Sequence, residues 1–180
     1  MSMRLVAAVM LFWAGLTGTV LAADLDPQNA LFMDLKAGRV VIKLRPDLAP
    51  KHVAQIKKLV SRHFFDGLTF HRVIPGFMAQ TGDPTGTGTG GSYEPNLPAE
   101  FTDTPFVRGS VGMARTSDDT NSGNSQFFIC FSDGCSQLRG QYTVWGEVVE
   151  GMEFVDQIAP GEPPAKPDKI LKLQLMANGK

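Results

Sequence analysis

The sequence predicts an all-β domain, either a barrel or a sandwich. Three observations lead there. Short runs alternate apolar and polar residues with period two, Gly and Pro cluster between the runs, and the strand–helix–strand rhythm of a parallel sheet is missing. The first two runs, 30–36 and 39–44, flank Ala37 and Gly38 and form a predicted β-hairpin. Pro46 and Pro50 then break the alternation. Val53, Ile56, Leu59 and Val60 share one face of a helix whose first turn suits Pro50, and Asp66 with Gly67 ends it. A strand is expected over 68–74, turned by Pro75 and Gly76 into another over 77–81. Residues 82–106, rich in Gly, Thr and Pro, are irregular. Further strands are predicted at 109–114, 126–131, 143–149 and 169–176, with one short helix within 151–159. There is no internal repeat and no linker, so one domain is expected.

The chain has 180 residues, with 17 Lys and Arg against 18 Asp and Glu. That length can bury its own core, and the near-neutral balance argues against a basic nucleic-acid-binding face. Two cysteines cannot make a disulfide scaffold or a four-cysteine zinc site. At the amino terminus Arg4 precedes an uncharged run, Leu5 to Val20, that ends in Leu21, Ala22 and Ala23. This run is shorter than the roughly 20 apolar residues of a membrane span, and it contains Gly15 and Gly18. It predicts a signal peptide over 1–22, cleaved to leave a domain over 23–180 outside the cytoplasm. No lipid-anchor cysteine follows, so no membrane attachment is expected after cleavage.

Few residues suit reactive chemistry. His52 and His63, on or beside the helix, are expected to be solvated, and His71 to be a hydrogen-bonded structural residue. His-x-x-x-His, Cys-x-x-Cys and Gly-x-Ser-x-Gly are all absent. The Gly86–Gly91 run has no lysine near it to make a phosphate loop and is expected to be a flexible surface loop. Cys130 and Cys135 either brace a loop as a disulfide or remain two thiols. Neither a metal nor a cofactor is expected.

The informative residues lie in three blocks: 70–83, 109–114 and 124–129. Alternate side chains of a strand share a face, so Phe127 and Ile129 oppose Gln126 and Phe128. If one face fills the interior, the other presents Arg72, Gln80 and Gln126 beside Phe77 and Phe128. That is an apolar pocket next to a permanently charged donor, which suits peptide binding and needs no proton transfer. The plain alternative is a surface arginine and a core phenylalanine stripe.

These blocks closely resemble the cyclophilin family of peptidyl-prolyl cis-trans isomerases. The resemblance runs from about Leu31 to Met176 and rests on Phe70-His71-Arg72, Pro75-Gly76-Phe77-Met78, Gln80, Gly82-Asp83, Gly90-Gly91, Gly112-Met113-Ala114, residues 124–129 and Gly146. It implies an eight-stranded antiparallel barrel capped by two helices. It further implies that Arg72 is catalytic, with Gln80 orienting it and touching substrate. Phe77, Met78, Phe128 and Leu138 would line the proline pocket. Gln126 and the backbone at Ala114 and Arg115 would hold the flanking peptide. Gln137 stands where many eukaryotic members have tryptophan, and Tyr142 replaces the family's pocket histidine. Both changes resemble bacterial periplasmic members and are expected to weaken cyclosporin binding while leaving the isomerase pocket intact. The segment 116–122 is slightly longer than in many members. The expected partners are proline-containing peptides and unfolded exported proteins, handled by a monomer in the periplasm, or outside the cell if the host has one membrane. The alternative is a proline-peptide binder or holdase without catalysis.

Overall fold

The computed structural model describes residues 25–179, so the predicted signal segment 1–22 lies outside the described residues. Eight strands are present: β1 (Ala30–Asp34), β2 (Arg39–Leu44), β3 (Arg72–Ile74), β4 (Met78–Thr81), β5 (Ser110–Met113), β6 (Phe127–Cys130), β7 (Val144–Glu150) and β8 (Lys172–Leu175). They form one antiparallel sheet in the order β3-β4-β6-β5-β7-β2-β1-β8. Register shifts against β7, at Val41/Ile42 and Val111/Gly112, add local twist that helps the sheet curl. The predicted strand over 68–74 is shorter than expected because residues 67–70 have another role. Gly67 N donates to Ile170 O at 2.7 Å, Ile170 N donates to Leu68 O at 2.9 Å, and Thr69 bridges Lys169, which ties the two ends of the sheet together. The helices are α1 (Pro50–Ser61) and α2 (Met152–Val155), the second only one turn of the span predicted for it.

Alternation sorts side chains into two clusters. Val40, Ile42, Val73, Ala79, Val111, Phe127, Ile129 and Trp145 point into the curl, and α1 packs Val53, Ile56, Leu59 and Val60 onto them. Phe127 meets Trp145 and Phe65 edge-on, at centroid distances of 5.4 and 5.6 Å. Each such burial contributes about 1.5–3 kcal/mol. On the opposite face Met78, Phe128 and Cys130 join Phe106 and Val144 in a separate cluster.

Three polar groups differ from expectation. His52 is buried and not solvated. It shares the helical face of Ile56 and Leu59, one and two turns on, and its Nδ1 lies 2.7 Å from Glu100 Oε2. The same carboxylate accepts from the backbone N–H of Lys51 and His52, each at 3.1 Å. Glu100 thereby caps a helix whose own N-cap, Ala49, has no side-chain acceptor. His71 is also buried, yet neither ring nitrogen makes a well-formed hydrogen bond. The Gly86–Gly91 segment is not a free loop. Buried Asp83 accepts from Thr85 N (2.7 Å), Thr87 N (3.1 Å), Gly88 N (2.6 Å) and Gly90 N (3.1 Å), which gathers the loop around one carboxylate. His63 is exposed, as expected, beside Asp66. Cys130 and Cys135 are disulfide-bonded and fasten the 3-10 turn Asp133–Leu138 to β6.

Burial pushes the pKa of both His52 and His71 below the ordinary histidine value, against the opposing pull of Glu100 and Asp83 respectively. Above about pH 6.5 both are neutral whether folded or unfolded. Below it the unfolded chain takes up protons that the folded chain resists, so stability falls as pH drops. Urea midpoints should therefore decline between pH 7.5 and pH 5.5, and a His71→Asn variant should show a shallower decline.

Candidate active site

The site is built on a row of residues that face each other across five strands. Arg72 pairs with Gln80, Gln80 with Phe128, Phe128 with Gly112, and Gly112 with Val144. All five sit on the outer face, because their neighbours Val73, Ala79, Phe127 and Val111 fill the core. The next row continues the pattern with Ile74, Met78 and Cys130.

Phe128 is the centre of the apolar part. Phe106 stacks on it at 5.7 Å with 25° between planes, and Tyr142 meets it edge-on at 5.7 Å and 84°. Phe77, Ala114, Leu138 and Tyr142 pack around this cluster, each still partly exposed. Gly112 makes the arrangement possible, since a Cβ there would collide with both the Phe128 and Phe106 rings. The β3–β4 turn, with Gly76 at φ 72°, delivers Phe77, whose carbonyl accepts from Phe131 N at 2.9 Å. Leu138 ends the 3-10 turn that the disulfide fastens, and its carbonyl accepts from Tyr142 N at 3.1 Å. The guanidinium of Arg115 lies 4.5 Å from the Tyr142 ring centroid, and its Nε donates to Gln141 O at 3.1 Å.

The polar part begins at Arg72. Gln80 stands across from it, but the Gln80 amide nitrogen donates to Gln126 Oε1 at 2.9 Å, whereas Arg72 Nε donates to Glu162 Oε2 at 2.7 Å. Gln126 Nε2 in turn donates to Gly88 O (3.0 Å) and Gly90 O (2.8 Å), carbonyls of the loop gathered by Asp83. Burial alone would push the Asp83 carboxyl up. The Thr85 backbone and hydroxyl and the N–H groups of Gly90 and Gly88 outweigh it and bring the pKa down to about 2, so this anchor is ionised at neutral pH. A polar groove of about 510 Å³ lies over this network, between Gln80 and Gln126 on one side and Ala114, Arg115, Thr116 and Ser122 on the other. The 116–122 segment folds back on itself, with Thr116 N donating to Ser122 Oγ at 2.8 Å. Among the described residues no group of three or more His, Cys, Asp or Glu side chains could hold a metal ion, and no helix is long and apolar enough to cross a membrane.

The structure thus brings the ten residues singled out in the sequence to one side of the sheet, six in or against the apolar cluster, Gln80, Gln126 and Arg115 along the polar groove, and Arg72 across from Gln80. It adds Phe106, Gly112, Asp83 and Glu162. Asp83 and Gly112 belong to motifs quoted above, but period-two reasoning gives neither a task. Phe106 and Glu162 lie in irregular segments with no periodic signal.

Comparison with known proteins agrees with this geometry. The family model for cyclophilin type peptidyl-prolyl cis-trans isomerase/CLD matches residues 31–175. A probable peptidyl-prolyl cis-trans isomerase of Brucella suis is 54% identical over 175 residues, covering 88% of each chain. Peptidyl-prolyl cis-trans isomerase B of Bacillus subtilis is 42% identical, covering 75% of this chain and 93% of its own. Among solved structures, a cyclophilin from Hirschia baltica superposes with a TM-score of 0.78 at 29% identity, covering 87% of this chain and 77% of that one. A Cryptosporidium parvum cyclophilin type isomerase, crystallised in the presence of the dipeptide Ala-Pro, gives 0.75 at 28% identity, covering 81% and 98%. With an antiparallel barrel, an arginine on the same sheet face as an aromatic cluster and a family match over most of its length, this chain belongs to the cyclophilin family of peptidyl-prolyl cis-trans isomerases.

Proposed function

We propose that the chain isomerises X-Pro bonds in exported proteins, with Arg72 as the catalytic donor. The observation that carries this reading is the strand register, which sets Arg72 and Gln80 in line with Phe128, one row from Met78. Rotation about a prolyl bond breaks amide resonance over a barrier of roughly 18–20 kcal/mol. At the twisted state the prolyl nitrogen loses conjugation, becomes pyramidal and can accept a hydrogen bond. A guanidinium aimed at that nitrogen stabilises the twisted state more than either planar state, which is what lowers a barrier. Phe77, Met78, Phe128 and Leu138 hold the proline ring, with Tyr142 closing the wall. Gln80, its amide nitrogen committed to Gln126, keeps Oε1 to accept from the peptide. Gln126 and the backbone at Ala114 and Arg115 hold the flanking residues along the polar groove. The uncharged amino-terminal run supports export, and with it an assistant to unfolded chains in the periplasm, or outside a single-membraned host.

The direct test is the cis-to-trans relaxation rate of a short X-Pro peptide with and without the protein. Wild type should accelerate it, and Arg72→Ala should lose about 10²-fold or more in turnover while unfolding at the wild-type temperature. A folded wild type without acceleration would leave a proline-peptide binder. Gly112→Ala should push Phe128 out of place, cost about 1–3 kcal/mol of stability and raise KM for the same peptide.

A further inference from the structure

The sheet edge beside Arg72 is covered by a segment of the chain that the isomerase reading leaves without a task. Val73 N donates to Gly161 O at 2.8 Å and Gly161 N donates to Val73 O at 2.9 Å, so this segment runs antiparallel to β3. That register places Glu162 opposite Arg72, on the side away from Gln80. The Glu162 carboxylate accepts from Arg72 Nε at 2.7 Å.

The segment is built to stay in place. Pro160, Pro163, Pro164 and Pro167 restrict its backbone. Both of its ends are pinned through Asp168, whose carboxylate accepts from Ala159 N at 2.8 Å and whose carbonyl accepts from Phe70 N at 2.9 Å. Within it Pro164 is buried, as are Ile158 and Ile170 just beyond its two ends. Gly161, at φ 144°, has no room for a Cβ against Pro163 and Pro164.

Stability does not explain this pair. The side chains are 40% and 53% exposed, and ion pairs in such positions contribute little. Orientation does explain it. A guanidinium is planar, with five donors in a fixed fork. With Nε–H committed to Glu162, its plane is set, and its two terminal nitrogens have no partner among the described residues. Those are the donors a prolyl nitrogen would meet. We infer that Glu162 is a positioning residue for the isomerisation, holding the Arg72 guanidinium so that its terminal N–H groups face the bound proline. The inference rests on Arg72 being the catalytic donor.

The test compares kcat and KM for an X-Pro peptide in wild type, Glu162→Ala, Glu162→Gln and Arg72→Ala, with thermal unfolding of each. Glu162→Ala should lower kcat on the order of 10-fold, as expected for a misplaced donor, with KM within about twofold. Glu162→Gln keeps an oxygen that can accept from Nε and should recover most of that loss. If Arg72→Ala is inactive while Glu162→Ala keeps or raises kcat, the positioning role is overturned and the isomerase reading stands. Equal losses in the Ala and Gln variants overturn it as well. An active Arg72→Ala overturns Arg72 as the catalytic donor and the positioning role with it, while the isomerase activity stands.

Discussion

The site depends on the pleat of three short strands. In β3, β4 and β6 adjacent residues have opposite duties: Val73, Ala79, Phe127 and Ile129 fill the core, whereas Arg72, Met78, Gln80 and Phe128 face out. A one-residue slip would send Arg72 into the apolar interior and take Phe127 out of it. Burying an unpaired charge is far more costly than losing one apolar contact. The core that stabilises the barrel therefore also sets which side chains reach the outer face that carries the proposed site.

Loops complete what the strands begin, and three of them are held by a buried or partly buried carboxylate. Asp83 gathers the Gly-rich segment, whose carbonyls fix Gln126, which holds Gln80. Glu100 caps α1 and pairs with His52, tying the long connection before β5 to the helix. Asp168 pins the segment that brings Glu162 to Arg72. Near-neutral net charge thus conceals carboxylates placed where backbone N–H groups or a guanidinium need an acceptor.

Much of this was legible in the chain because strands announce themselves by period two and tight turns by Gly and Pro. Alternation offers Arg72, Gln80, Gln126 and Phe128 as an outward set once one face is given to the interior, strand register brings them side by side, and the family resemblance adds Leu138 and Tyr142. His52 is buried where a solvated side chain is expected, and its helical spacing to Ile56 and Leu59 already places it on the buried face. Other features had no local signal. Glu162 meets Arg72 only because Gly161 bridges Val73 across a long sequence separation. Phe106 lies in an irregular segment and acquires its place by stacking on Phe128. The pairing of Cys130 with Cys135 depended on the turn between them, which the sequence leaves open.

One face of the sheet fills the core and the other carries the proposed substrate site, and the methionines report on both. Met78 lies in the pocket cluster, whereas Met33 and Met113 lie in the barrel core. Methyl NMR of the labelled methionines during titration with a short proline peptide measures both faces at once. The Met78 methyl should shift and broaden with peptide while Met33 and Met113 stay fixed. A Met78 signal that does not move while the protein is isomerising the peptide, or core methyls that move with it, would rule out this division of the sheet.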